Sequence, residues 1–348
     1  HGLEADAKDV RAARRYVRDK GLYGEVSVEQ WGGGHLPYAT NLVNLVVAED
    51  LHGTPMKEVM RVLAPGGVAY VNKDGGWVKR IKPWPEEIDE WSHFLYDTTN
   101  NAISQDKRVA PPTNLRWACG PPYARSHEHL SSVSAMVSAG RRLFYIIDEG
   151  PVASVYLEPK WRLVARDAFS GTLLWKKPIP QWESQVRGFR SGPPEIGCRL
   201  VASEDRVYVT PTYGSKVVAL DAATGELLET YQGTKGAREI LYKDGTLYVL
   251  ADSMTAAEHQ ETSDWFKKLA PHLKHYTFPK QPINEYGERR VVVLDAASGE
   301  MKWQKSNART AEIMPTTLSL SDGKLIFQNT QAVVALDAET GDVAWRCE

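Results

Sequence analysis

Cysteine is scarce. The chain has three in 348 residues, Cys119, Cys198 and Cys347, with no CxxC pair and no adjacent pair. That excludes a zinc knuckle and a dense disulfide framework. Two states stay open: three buried free thiols, which is the expectation, or one disulfide beside a free thiol. An excess of either charge is also lacking. Lys and Arg number 42 against 44 Asp and Glu, a net charge of −2, so nothing draws the whole chain to nucleic acid or to an anionic membrane, and no nucleic-acid partner is expected. Arg11, Arg14, Arg15 and Arg18 sit at helical spacing and read as a solvated helix face. No run of 18 apolar residues occurs, so no membrane span is expected. Gly32–Gly34 and Gly75–Gly76 are not followed by the Lys-Ser/Thr of a phosphate loop. A Gly-x-Ser-x-Gly nucleophile elbow is missing as well. Phe is rare, 7 residues against 11 Trp and 15 Tyr. Trp and Tyr join an apolar body to a polar tip, which suits contacts between packed sheets.

What is present is a repeat. Asp167, Asp221, Asp295 and Asp337 each end a β-branched or aliphatic run. Each is followed by Ala at one residue on, Ser or Thr at three, and Gly at four: Gly171, Gly225, Gly299 and Gly341. Trp175, Trp303 and Trp345 stand eight residues after their Asp, where the second copy has Glu229. The run before the Asp favours a strand. The carboxylate can bond backbone N–H groups just ahead and turn the chain, and the Gly supplies the positive φ of a short hairpin loop. An upstream hairpin precedes each copy, at 138–146, 203–209, 243–249 and 321–327. Two hairpins per repeat make a four-stranded propeller blade. Blades are expected at about 130–179, 198–234, 238–306 and 316–348, the third interrupted by an insertion at 254–289.

The Leu-Asp-Ala-x-Thr-Gly-x-x-x-Trp pattern resembles the tryptophan-docking repeat of pyrroloquinoline-quinone (PQQ) proteins, the quinoprotein alcohol dehydrogenase-like propellers. The stretch Trp91-Ser-His-Phe-Leu-Tyr96-Asp97, continuing through Pro111-Pro112 to Leu115-Arg-Trp117, is similar to the segment that opens such propellers. The resemblance implies a mostly β chain, periplasmic or extracellular, with four blades of a ring that commonly has eight. The remaining blades are expected beyond residue 348 or from another chain. It also raises a PQQ-and-calcium oxidoreductase with a site at the propeller axis, although the adjacent cysteines of that chemistry are missing.

Residues 1–80 alternate helix and strand patterns, indicating an α/β segment. A helix over Asp6–Lys20 ends at Gly21, and a second lies near 55–63. Strands are expected at 25–29, 42–47 and 67–71, with Gly76–Ile81 as a further remnant. His1-Gly-Leu-Glu4, Leu36-Pro-Tyr38, Asn44–Glu49 and Arg61–Gly67 resemble the middle of a class I S-adenosylmethionine (SAM) methyltransferase. That resemblance implies Glu4 as the ribose ligand, in a domain completed by residues upstream of His1. The Gly-rich turn of such domains is absent. Residues 81–129 read as linker and propeller lead-in.

The remaining candidate chemistry is sparse. His127 and His129 would share one face of an extended strand and could ligate a transition metal, with His93 as a possible third ligand. The insertion holds His259, Trp265, His272, His275, Tyr276 and Tyr286, and long insertions on rigid scaffolds often bind partners. Arg187, Arg190 and Arg199 could grip an acidic ligand, but surface solvation is the expectation. The composite expectation is a binding or scaffold protein whose ligand is a protein or a small molecule. An oxidoreductase and a SAM-dependent methyltransferase are the alternatives.

Overall fold

The computed structural model describes residues 1–348 apart from 74, 110, 112–114, 122–132, 154–156, 158, 181, 183–193, 213, 254–287, 307–309, 311 and 315. The chain divides into two compact units, residues 1–86 with 112–117, and residues 87–111 with 118–348. Among the described residues no helix is long and apolar enough to cross a membrane.

In the first unit, β1 (Gly2–Glu4) leads into α1 (Ala7–Asp19). Asp6 caps that helix by accepting hydrogen bonds from Lys8 N and Asp9 N. Val10 and Val17 are its buried residues, and Arg11, Arg14, Arg15 and Arg18 are exposed as expected. The chain returns in β2 (Val28–Gln30), parallel to β1 and shorter than the 25–29 pattern suggested. A second parallel pair, β3 (Val43–Ala48) and β4 (Leu63–Lys73), flanks α2 (Met56–Val62). β5 (Gly76–Ile81) closes back on β4 as an antiparallel hairpin. Val46, Ala48, Ala69 and Val71 join Val59 and Val62 of α2 in one core.

The second unit is a β-propeller of four-stranded antiparallel blades. Blade one is β6 (Val133–Ala139), β7 (Arg142–Asp148), β8 (Trp161–Asp167) and β9 (Leu173–Pro178). Blade two is β10 (Leu200–Ala202), β11 (Arg206–Val209), β12 (Val218–Asp221) and β13 (Leu227–Thr230). Blade three is β14 (Ala237–Lys243), β15 (Thr246–Asp252), β16 (Arg289–Asp295) and β17 (Met301–Lys305). Blade four is β18 (Ser319–Ser321), β19 (Lys324–Gln328), β20 (Val333–Asp337) and β21 (Val343–Cys347). The cores lie between consecutive blades. Phe144 and Leu163 of blade one share a core with Leu200 and Val207 of blade two. Val201 and Tyr208 of blade two meet Ile240, Val249 and Val292 of blade three. Leu250 and Val293 of blade three meet Leu325 and Phe327 of blade four.

The repeated Asp performs the turn role its chemistry suggests. Asp221 Oδ1 accepts from Ala223 N at 2.9 Å, Thr224 N at 2.7 Å and Thr224 Oγ1 at 3.0 Å. Asp167 and Asp295 repeat the pattern on Ser170 and Ser298. In Asp221, Asp295 and Asp337 the backbone N–H donated by the Thr or Ser three residues on holds the carboxyl below its ordinary range.

The aromatic residue reaches the next blade. Trp175 Nε1 donates to Ala222 O and Trp303 Nε1 to Ala338 O, both at 3.1 Å. Gly225 and Gly341, at φ 73° and 74°, are the seats for these indoles. A Cβ at Gly225 would stand 2.7 Å from Trp175 Cδ2, and one at Gly341 2.8 Å from Trp303 Cε3. Blade two, where Glu229 breaks the pattern, solves the same problem two residues later. Tyr231 Oη donates to Ala296 O at 2.6 Å, and Arg206 Nη1 donates to the same oxygen at 2.7 Å. Burial pushes the Tyr231 phenol up to about 12, so it stays a donor through the neutral range. Tyr231→Phe removes one of the two donors to Ala296 O. It is expected to lower stability by about 1 kcal/mol, the low end for a buried hydrogen bond because Arg206 still serves the acceptor. Urea denaturation with an unchanged slope is the measurement, and an unchanged midpoint would contradict this role.

Two expectations need correction. All three cysteines are free, but only Cys198 is buried, whereas Cys119 and Cys347 are exposed. Cys347 lies on β21, whose residues are all exposed. Arg199 is not a solvated surface residue but is 1% exposed. Its guanidinium stacks 3.9 Å from the Trp182 ring centroid and donates to Trp182 O at 2.7 Å. A planar, weakly hydrated cation tolerates such burial where Lys would not.

Candidate functional site

The two edges of the blades differ. At one edge the strands are joined by the turns 140–141, 203–205, 244–245 and 322–323 and by the motif loops 168–172, 222–226, 296–300 and 338–342. At the opposite edge residues 149–160 join β7 to β8, 179–199 join β9 to β10, 253–288 join β15 to β16 and 306–318 join β17 to β18. This insertion edge also carries most of the buried polar side chains: Asp148, Arg199, Thr210, Thr234, Arg238, Glu239, Asp252, Arg289, Thr310 and Asn329.

Several of these side chains brace the long connections. Asp148 Oδ1 accepts from Gly150 N at 2.8 Å and from Lys160 N at 2.7 Å, holding both ends of the β7–β8 connection. Asn329 Oδ1 accepts from Gln331 N and Ala332 N, at 2.9 and 2.8 Å, within the short β19–β20 turn at the same edge. Trp182 Nε1 donates to Ser134 Oγ at 2.8 Å, which fixes Trp182 to β6, and Arg199 is fixed to Trp182 in turn. Glu239 sits beside a bulge in β14. Its carboxylate accepts from Thr316 N and, at 3.3 Å, from Leu318 N, tying blade three to the entry of blade four. Arg238 Nε lies 3.8 Å from Asp252 Oδ2 with both side chains buried, and Asp252 is the register partner of Arg289. Ser253 N donates to Glu288 O at 3.0 Å, closing the base of the insertion. Buried ion pairs cost desolvation that only good geometry offsets. The braces at this edge hold the described ends of its connections to the blade strands.

The sequence candidates fall unevenly on this frame. His127 and His129 lie outside the described residues, as do Arg187, Arg190 and residues 254–287 of the insertion. His93 lies away from the insertion edge, against β14. It is 3% exposed. Its Nε2 accepts from Tyr242 N at 3.1 Å and its Nδ1 pairs with Ser92 Oγ at 2.8 Å, so both ring nitrogens are engaged. Burial, opposed by the charge of Asp97, lowers its pKa to about 4. Among the described residues no group of three or more His, Cys, Asp and Glu is placed to hold a metal. Glu4 stands at the end of β1, where Oε1 accepts from Ala5 N at 2.7 Å and Asp6 N at 3.1 Å. Tyr231, Arg206 and the Trp182–Arg199 stack escaped sequence reasoning. The only signal for Tyr231 was an aromatic residue two positions after the missing Trp.

No curated protein matches the chain. Among solved structures, a europium-containing methanol dehydrogenase is 14% identical at a TM-score of 0.45, covering 76% of this chain and 49% of its own. The quinohemoprotein alcohol dehydrogenase from Comamonas testosteroni is 13% identical at 0.45, covering 74% and 41%. BamB from Moraxella catarrhalis is 15% identical at 0.33, covering 59% and 46%. The chain thus spans half or less of the length of each. A family model described as outer membrane protein assembly factor BamB matches residues 159–348, more than half of the sequence and within the propeller. The chain therefore belongs to this PQQ-type repeat family.

Proposed function

We propose that the chain is a propeller binding protein that works outside the cytoplasm and takes a protein partner at its insertion edge. The observation that carries this reading is the asymmetry of the edges: the long connections and the buried polar braces share one edge, and short turns close the other. Loops held by a rigid scaffold are where binding concentrates. The family description, an assembly factor, favours a protein over a small molecule as the partner. The repeated Asp, Gly and Trp have structural duties, which supports binding rather than turnover. Against a quinone at the propeller axis, the axis-facing N–H groups of Ser138, Ala202, Tyr242 and Leu320 are already bonded to residues 91–98.

Photocrosslinking in the native host tests this reading. A photoreactive amino acid at Val152 or Lys235, exposed on the insertion edge, is expected to give protein adducts. At Glu226 or Glu300, exposed on the turn edge, it is expected to give none. Equal labelling at both edges would overturn the reading. So would alcohol-dependent reduction of an artificial electron acceptor by protein reconstituted with PQQ and calcium.

A second reading concerns the first unit alone, a SAM-dependent methyltransferase completed by residues upstream of His1. It rests on the parallel pairs β1–β2 and β3–β4, which belong to two separate sheets, with Glu4 Oε2 as the oxygen that would accept a ribose hydroxyl. Calorimetric titration of the full-length protein with SAM decides it, and a flat trace discards it.

A further inference from the structure

We infer that residues 90–100 form an axial tie that registers the four blades and whose contacts with them open together. β6, β10, β14 and β18 are the innermost strands. Each has a sheet neighbour on one side only, and β10 touches both β6 and β14. A strand edge left open in this way carries N–H and C=O groups that must find partners elsewhere. The tie supplies them, taking the blades in chain order. Ser138 N donates to Trp91 O at 2.7 Å in blade one, and Ala202 N to Ser92 O at 3.0 Å in blade two. Tyr242 N donates to His93 Nε2 at 3.1 Å in blade three. Leu320 N donates to Thr98 O at 2.7 Å in blade four.

These four donors hold the same place in every repeat. Each lies four residues before the second-strand residue that faces the motif Asp: Arg142 faces Asp167, Arg206 faces Asp221, Thr246 faces Asp295 and Lys324 faces Asp337. Side chains anchor the tie at both ends and at its middle. The Glu90 carboxylate accepts from Gly140 N at 3.0 Å and Arg141 N at 2.9 Å. Asn100 Nδ2 donates to Leu318 O. The Phe94 ring lies against Gly197, where a Cβ would stand 2.3 Å from a ring carbon. One short segment thus registers four blades whose sequences are far apart, and loosening any one of its contacts frees the others.

Hydrogen exchange read by mass spectrometry on the full chain tests this. His93 touches blade three, yet His93→Ala is expected to speed exchange at Ser138, Ala202 and Leu320 as well as at Tyr242, by about tenfold or more, as a shared opening event requires. His93→Gln, whose side-chain oxygen can accept from Tyr242 N, is expected to restore protection. Val249→Ala, a core change in blade three away from the tie, is expected to speed exchange in that blade and to spare Ser138 and Leu320. Should His93→Ala fail to fold, Glu90→Gln asks the same question from blade one, read at Leu320. Acceleration confined to the blade that each substituted residue touches would overturn the proposal.

Discussion

Trp175→Ala is expected to lower the stability of the propeller unit by about 3–5 kcal/mol, the usual range for emptying a buried aromatic site. Trp175 is 8% exposed and belongs to the core shared by blades one and two. It packs 6.0 Å from the Phe144 centroid, and its indole N–H serves Ala222 O in the next blade. The substitution therefore leaves both a cavity and an acceptor without its donor. In stacked repeats each unit is stabilised mainly by its nearest neighbours. The loss should thus appear first in exchange protection of β10 to β13. Two companions sharpen the test. Gly225→Ala alone is expected to cost about 2 kcal/mol or more, because Cβ would enter the indole's space at positive φ. In the Trp175→Ala background the clash with the indole disappears, leaving only the flexible Lys177 side chain near the added Cβ, and the double-mutant cycle should show coupling above about 1 kcal/mol. Trp345, the same motif position in blade four, is 40% exposed, and Trp345→Ala in this 348-residue chain should cost under about 1 kcal/mol. A Trp175→Ala cost as small as the Trp345→Ala cost would sink the argument.

The legibility of the chain follows the range of its interactions. The blades could be read from the sequence because Asp, Ser or Thr, and Gly act within five consecutive residues and Trp lies only four further on. The α1 helix was legible for the same reason: its cap, Asp6, bonds its own first turn. Tyr231 was not, because the aromatic shifts by two residues within blade two and its partner, Ala296, lies 65 residues ahead. The tie was hidden more deeply. Its bonds run mostly from backbone atoms, which every residue possesses, and they span separations as large as the 222 residues between Thr98 and Leu320. His93 looked like a ligand because a histidine in a lead-in segment has no local motif to explain it. Its partner, the Tyr242 N–H, is 149 residues away. Arg199 misled in the same direction, since arginine is usually exposed and nothing near it announces the Trp182 ring.

The burial of His93 has an acid-stability consequence. Its folded pKa is about 4 against 6.5 unfolded. The unfolded chain therefore binds a proton between those values that the folded chain refuses, and stability must fall as pH drops through that window. The neutral ring contributes fully above pH 6.5, and the contribution is lost as pH falls toward 4. The total is about 3 kcal/mol, since each tenfold change in proton affinity is worth about 1.4 kcal/mol. The geometry gives the reason. Nε2 accepts from Tyr242 N, so Nδ1 carries the proton toward Ser92 Oγ in the neutral ring. A second proton would set Nε2–H against the Tyr242 N–H in a site with almost no solvent. The charge of Asp97, which favours the protonated ring, is too weak to outweigh burial. The motif carboxylates, with pKa values below the ordinary 3.8, begin to release their own contribution only below about pH 5. Between about pH 5 and 6.5 the two effects therefore separate. Denaturation midpoints measured across that range should fall for the natural chain and stay nearly flat for His93→Gln, which cannot titrate there. Parallel pH slopes for the two proteins would show that His93 is not the group responsible. A matching loss of exchange protection at Ser138, Ala202, Tyr242 and Leu320 on acidification would place the effect in the tie itself.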